Sequence, residues 1–174
     1  IPMFQNPLGW TMDLERRKQV LEVTGKHGIP VFEDDCYADL RFEGEAVTSF
    51  HSLDDTGRVV YVGSFSKIIA PGMRMGYLVA PKEVIGRAWS FKSGGAVSQF
   101  TALTIAEYMK GGLDRHIDEQ NQALMAKRDA MVSALGENFG SSVEWSVPEG
   151  GLYCWVKFPE GTDLATVQEE IFHE

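Results

Sequence analysis

The sequence predicts an α/β chain with a mainly parallel sheet and the beginning of a smaller α+β domain, and three observations carry that prediction. A helical pattern over 12–27 runs almost directly into a short apolar strand at 31–33. That order, with so short a connection, is how parallel sheets are built. A second valine-rich run, 59–62, ends in Gly63, and a third, 76–79, follows past a turn. A long helical pattern over 113–139 then leads to two strand patterns that carry aromatics, 143–147 and 152–158.

Each element has its own signals. Residues 1–4 read as the end of a strand. Thr11 reads as a helix N-cap, with Asp13 and Glu15 in the first turn. Val20, Leu21 and Val23 supply the buried side, Lys26 and His27 close the helix, and Gly28 is its C′ residue. His27 is read as a helix-end cation in place of a catalytic base. The stretch 41–57 is a polar surface loop. The strand at 76–79 follows its predecessor closely enough to lie antiparallel to it. Residues 82–110 form two helices with a break at Ser93-Gly94-Gly95, where the glycine pair is a turn. Leu113, Ile117, Leu124, Met131 and Leu135 fall near one face of the long helix. Trp145, Tyr153 and Trp155 are expected in the core of the second domain. Glu174 closes the chain in a helical pattern, and no internal repeat is visible.

The chain has 174 residues, 44% hydrophobic and 24% charged, which is enough to bury a real core. A net charge of −9 argues against nucleic acid or an anionic membrane as partner. No apolar stretch is long enough to span a bilayer, and no signal peptide is visible. Cys36 and Cys154 give no disulfide framework, and Cys36 reads as a small buried packing residue.

The chemistry concentrates at the ends of the strands. After 59–62 come Gly63-Ser64-Phe65-Ser66-Lys67, a Pro71-Gly72 turn and Arg74. A lone lysine is ordinarily a solvated surface charge. An amine held between two buried strands, with hydroxyls before it and a guanidinium after it, suits a Schiff base to an aldehyde cofactor whose phosphate the neighbours hold. Upstream, the strand at 31–33 ends in Glu33-Asp34-Asp35-Cys36-Tyr37. Acids at the carboxyl end of a parallel strand face the crevice where open sheets bind ligands. Asp34 there suits a cofactor pyridine nitrogen, and Tyr37 suits its phenolic oxygen. Adjacent carboxylates also suit magnesium, although that site requires neither Tyr37 nor Lys67. Near the start, Asn6-Pro7-Leu8-Gly9 is a turn whose Asn6 amide could reach a ligand oxygen.

In this order and spacing, Asn6-Pro7-Leu8-Gly9, Asp34-Asp35-Cys36-Tyr37, Ser64-Phe65-Ser66-Lys67 and Arg74 resemble the large domain of fold-type I pyridoxal-phosphate enzymes. The chain is most similar to class I/II aminotransferases of the aminoadipate, kynurenine and aromatic subgroup. Pro148-Glu149-Gly150-Gly151-Leu152-Tyr153-Cys154-Trp155 resembles the start of that family's small domain. The resemblance implies that 1–112 is the C-terminal part of the large, cofactor-binding domain. It implies that 113–174 is a bridging helix with an incomplete small domain. It implies pyridoxal 5′-phosphate as cofactor, with Lys67 as the Schiff-base lysine and proton shuttle and Asp34 on the pyridine nitrogen. Tyr37 and Asn6 would hold the phenolic oxygen, and Ser64, Ser66 and Arg74 the phosphate, with no metal. The implied reaction moves an amino group between an amino acid and a 2-oxo acid, in a cytoplasmic homodimer. Family members are commonly about twice this length. The chain is therefore expected to be a fragment, truncated at both ends and inactive alone, without the ring-stacking aromatic and the substrate-carboxylate arginine. The same motifs occur in the aminotransferase-like half of certain bacterial transcription regulators. A lyase or decarboxylase on this fold is the other alternative.

Overall fold

The computed structural model describes residues 1–172, without the side chains of 170–172. The elements run α1 (Leu14–Lys26), β1 (Val31–Asp34), α2 (Phe50–Leu53), β2 (Val59–Ser64), β3 (Gly76–Val79), α3 (Lys82–Phe91), α4 (Gln99–Met109), α5 (Leu113–Phe139), β4 (Glu144–Trp145), β5 (Val156–Lys157) and α6 (Leu164–Phe172). Glu174, expected to be helical, lies outside the described residues. The main sheet has the order β1-β2-β3. β1 and β2 are parallel, with Val31 opposite Val59 and Asp34 opposite Val62. β3 returns antiparallel, with Ser64 opposite Gly76. The parallel pair therefore ends in Asp34 and Ser64 on adjacent strands, and both candidate motifs leave the sheet from one end.

Several sequence expectations change here. Residues 1–4 form a bend in place of a strand, and Phe4 is buried there with φ +45°. Asp13, not Thr11, caps α1: its Oδ1 accepts from the Arg16 amide at 2.7 Å. A carboxylate is the stronger acceptor at a helix N-terminus, and the Thr11 hydroxyl instead accepts from the Phe4 amide at 3.4 Å. Val23 is exposed, and the buried residue of α1 is Arg17. The polar stretch 41–57 contains α2, whose first two amides donate to the Glu33 carboxylate at 2.8 and 2.9 Å. The two late strands shrink to a two-residue pair. They pair only with each other, so Trp155 stays 45% exposed and Trp145 half-buried, not core. Met131 is likewise exposed on α5.

The main core gathers Met3, Phe4, Tyr37, Leu40, Phe65, Ile68 and Ile105, with Leu113, Ile117 and Leu124 of α5 packed against it. Each fully buried side chain of this kind contributes about 1.5–3 kcal/mol over exposure. Along α5 the buried positions Asn121, Arg128 and Leu135 recur at seven-residue steps, so its inner stripe is partly polar. Asn121 Nδ2 donates to the Asp39 and Arg41 carbonyls at 2.9 and 3.0 Å. Arg128 forms a bidentate pair with Glu43 at 2.6 and 2.9 Å and donates to the Pro148 carbonyl. α5 thereby clamps the stretch after Tyr37 to the segment that joins β4 to β5.

Candidate active site

Lys67 sits in the turn directly after β2, half-buried. Its carbonyl accepts from Gln120 Nε2 of α5 at 2.7 Å, which fixes the turn to the long helix. Among the described residues its ammonium makes no ion pair. Ser64 Oγ accepts from the Ser66 amide at 3.2 Å, a local turn that orients both hydroxyls. The Phe65 amide donates to the Met75 carbonyl at 3.1 Å. That bond carries the strand pairing one step past the sheet. Arg74 ends a short turn, Pro71–Met73, with φ +49°; it is exposed, and Nη1 donates only to the Pro71 carbonyl. Left-handed backbone at a non-glycine residue costs about 1–2 kcal/mol, and such strain collects at functional positions.

The three acids at the end of β1, Glu33 and Asp34 in the strand and Asp35 just after it, do not converge, because successive residues of extended chain point to opposite faces. Glu33 is fully buried against α2 and lies 3.9 Å from Arg17. Asp35 is buried on the same side, and its Oδ2 accepts from the Tyr61 hydroxyl at 3.2 Å. Burial, with the Glu33 charge, pushes the Asp35 carboxyl up to about 6. Asp34 alone takes the other face, half-buried beside Cys36. Burial first, and then the Asp34 charge and hydrogen bond, push the Cys36 thiol up to about 11. This thiol is packed against the core and is held protonated.

Tyr37 is buried, and its hydroxyl lies 3.4 Å from the Tyr153 hydroxyl. Burial and that bond drive its ionisation well above the ordinary tyrosine range, with hydrogen bonding by the Asn6 side chain opposing. Asn6 itself is exposed, on the turn closed by the Gly9 amide and the Gln5 carbonyl.

The structure thus sets Asn6 near the Tyr37 hydroxyl and Asp34 beside Cys36, and strings Ser64, Ser66 and Lys67 along the end of β2 and the turn after it. It leaves Arg74 beside that turn without a bond to the serines. Sequence reasoning missed Gln120 and Asn121, whose only signal was a polar pair on a helix face otherwise apolar. It also placed Tyr153 in a core without the partner that the fold gives its hydroxyl, that of Tyr37.

A pyridoxal-type cofactor needs a phosphate cradle, an amine, a carboxylate and a phenol. The donor set at this edge supplies each, and the unpaired Lys67 ammonium and strained Arg74 fit that group. An α/β sheet with this edge defines a fold-type I transferase. The chain belongs to the family described as aminotransferase class I and II, whose model matches residues 2–173. It is 39% identical over 173 residues to aromatic-amino-acid aminotransferase 1 of Thermococcus litoralis, covering 98% of this chain and 42% of that protein. It is 36% identical over 164 residues to the uncharacterized HTH-type transcriptional regulator YisV of Bacillus subtilis, covering 91% of this chain and 33% of that one. Among solved structures it superposes on the kynurenine aminotransferase of Pyrococcus horikoshii, in complex with PMP, with a TM-score of 0.92 at 38% identity. That match covers 99% of this chain and 44% of the other. The chain therefore spans less than half the length of these relatives. Among the described residues no helix is long and apolar enough to cross a membrane.

Proposed function

We propose that the protein binds pyridoxal 5′-phosphate through Lys67 and transfers an amino group between an amino acid and a 2-oxo acid. One observation carries the reading. The parallel register sets Asp34 on the strand next to β2, which ends in Ser64 and runs into the turn of Ser66 and Lys67. When bound, the cofactor supplies an aldehyde carbon for the amino group and a ring that withdraws charge from the substrate α-carbon. Lys67 Nζ would be the group that holds the cofactor's aldehyde carbon, and the same amine would move the proton at the substrate α-carbon as base and then acid. The Asp34 carboxylate keeps a proton on the pyridine nitrogen. Tyr37 and Asn6 direct hydrogen bonds at the ring oxygen. Ser64, Ser66 and Arg74 hold the phosphate, Arg74 by a charge-assisted fork that a lysine could not reproduce.

We divide the chain at residue 112, with the cofactor side before it and the bridging α5 with the small-domain segment after it. Homodimer formation is supported by the exposed Trp89, Phe91 and Phe100 on α3 and α4, a patch of the kind that faces protein. Two free, half-buried thiols suit a reducing compartment, and we place the protein in the cytoplasm.

The test is steady-state kinetics on the protein expressed from its complete reading frame. Parallel double-reciprocal lines with an amino acid and a 2-oxo acid, abolished by Lys67→Ala, are expected. Cofactor binding without amino transfer would favour the second reading, an effector domain of a transcription regulator. The likeness to YisV is the observation that favours it.

A further inference from the structure

None of the assigned roles accounts for Tyr153, yet the fold brings its hydroxyl to the Tyr37 hydroxyl from 116 residues away. The two rings meet edge to face, with centroids 5.9 Å apart and an interplanar angle of 84°. Tyr153 is also tightly seated. A Cβ on Gly9, at φ +69°, would lie 2.6 Å from the Tyr153 carbonyl oxygen. The Asn6–Gly9 turn is thus packed directly against the Tyr153 backbone. A Cβ on Gly150 would overlap the Phe4 ring and the Leu40 carbonyl. The Gly151 amide donates to that same carbonyl at 2.7 Å. The segments that carry Asn6 and Tyr37 are therefore the ones that hold Tyr153.

A phenylalanine would fill the same space, so packing alone does not call for the hydroxyl. Tyr37 has a single proton. It can donate that proton to Tyr153 or to a ligand, since either phenol can be the donor across the pair. At 3.4 Å the phenol pair is at the long end for two hydroxyls, and either oxygen can serve as donor after a rotation.

We propose that Tyr153 is a positioning residue: with pyridoxal phosphate bound, its hydroxyl donates to the Tyr37 oxygen and leaves the Tyr37 proton directed at the cofactor ring oxygen. The inference rests on the cofactor reading above. A hydrogen bond fed by a second one is strengthened by about 10–30%. Tyr153 thus links the small-domain segment to the electronic state of the cofactor without touching it.

The experiment is a pH titration of the visible absorbance of bound pyridoxal phosphate in the parent, Tyr153→Phe, Tyr37→Phe and the double variant. Weakening the donor to the ring oxygen raises the midpoint, by about 0.3 pH unit for Tyr153→Phe and by more for Tyr37→Phe. The double variant is expected to match Tyr37→Phe alone, because Tyr153 acts through Tyr37. A parent that binds cofactor and a Tyr153→Phe midpoint that does not move would overturn this inference and leave the cofactor reading intact. A parent that binds no cofactor removes both. Without cofactor, the 13Cζ signal of Tyr37 should shift in Tyr153→Phe. If that variant does not fold, the reciprocal shift of the Tyr153 signal in Tyr37→Phe reads the same pair. An unmoved signal there counts against it.

Discussion

The two faces of β1 carry the same kind of residue and do opposite things with it. On one face Glu33 is spent on structure, accepting from two amides of α2 and facing the fully buried Arg17. Arg17 in turn donates to the carbonyls of Met12, Thr48 and Pro2. Asp35 stands beside them with Oδ2 engaged and Oδ1 buried without a partner. On the other face Asp34 is half-buried beside the Cys36 thiol, at the same end of the parallel pair as Ser64. Saturated polar groups stabilise the fold. Groups left unsaturated at the carboxyl ends of parallel strands are kept for a ligand.

Substitutions that exchange the two faces should separate these roles. Glu33→Gln is expected to do most damage, because it leaves the Arg17 charge buried without its partner. Breaking such a pair costs about 3–5 kcal/mol, to be read by urea unfolding. The surviving folded fraction should keep its cofactor affinity. Asp34→Asn should do the reverse. Unfolding stays near the parent while amino transfer falls about 10²–10³-fold, the scale of losing one preorganised electrostatic group. A destabilised Asp34→Asn with transfer intact would mean the faces have been read the wrong way round.

Arg74→Gly tests strain against function within a single residue. Arg74 is exposed in this chain, so its pair with a phosphate is screened and sits at the lower end for charge pairs, about 2 kcal/mol. Affinity for pyridoxal phosphate should fall roughly 30-fold, which is that energy expressed as a ratio. Stability should rise by about 0.5–1 kcal/mol, because glycine relieves the φ +49° backbone but loosens the unfolded chain. Both quantities moving the same way would remove Arg74 from the phosphate site.

The smallest effect is expected at Asp35. Its folded value is raised from the ordinary carboxylate range to about 6, so the folded state holds the proton more tightly than the unfolded one. The stabilisation that goes with that proton is complete below the unfolded value. It is lost as pH rises through about 6. Asp35→Asn keeps an acceptor for Tyr61 and carries no charge. Its melting temperature should exceed the parent's at pH 8, with the gap closing as pH falls toward 5. A gap that widens on acidification would contradict the sign.

Much of this molecule was legible from the sequence. The bounds of α5, the break between α3 and α4, and the antiparallel return of β3 follow from periodicity, glycine placement and the short connection at 65–75. The Gly28 cap, at φ +62°, follows from glycine's freedom in left-handed backbone. The site motifs are local, which is why residue types alone exposed Ser64, Ser66, Lys67 and Arg74 on one connection. What the sequence hid was long-range and polar. Arg17 reads as a surface charge on an amphipathic helix until Glu33 is placed over it. Asn121 and Arg128 break an apolar stripe for reasons that lie in carbonyls about 80 and 20 residues away. Trp155 read as core because a hydrophobic strand is expected to be covered, yet β4 and β5 cover only each other. Tyr153 read as core for the same reason, and its hydroxyl partner could be found only in three dimensions.

The central claim is that Lys67, alone among the lysines, is held to take an aldehyde. Its backbone is tied to α5 through Gln120, and among the described residues its amine pairs with no carboxylate. The direct measurement is borohydride reduction of the protein with pyridoxal phosphate, followed by peptide mapping by mass spectrometry. The account predicts a pyridoxyl label on the peptide that contains Ser66-Lys67-Ile68. Loss of that label is expected in Lys67→Ala, with no other lysine taking its place. A label spread over exposed lysines such as Lys18, Lys26 and Lys110, or retained after Lys67→Ala, would contradict it.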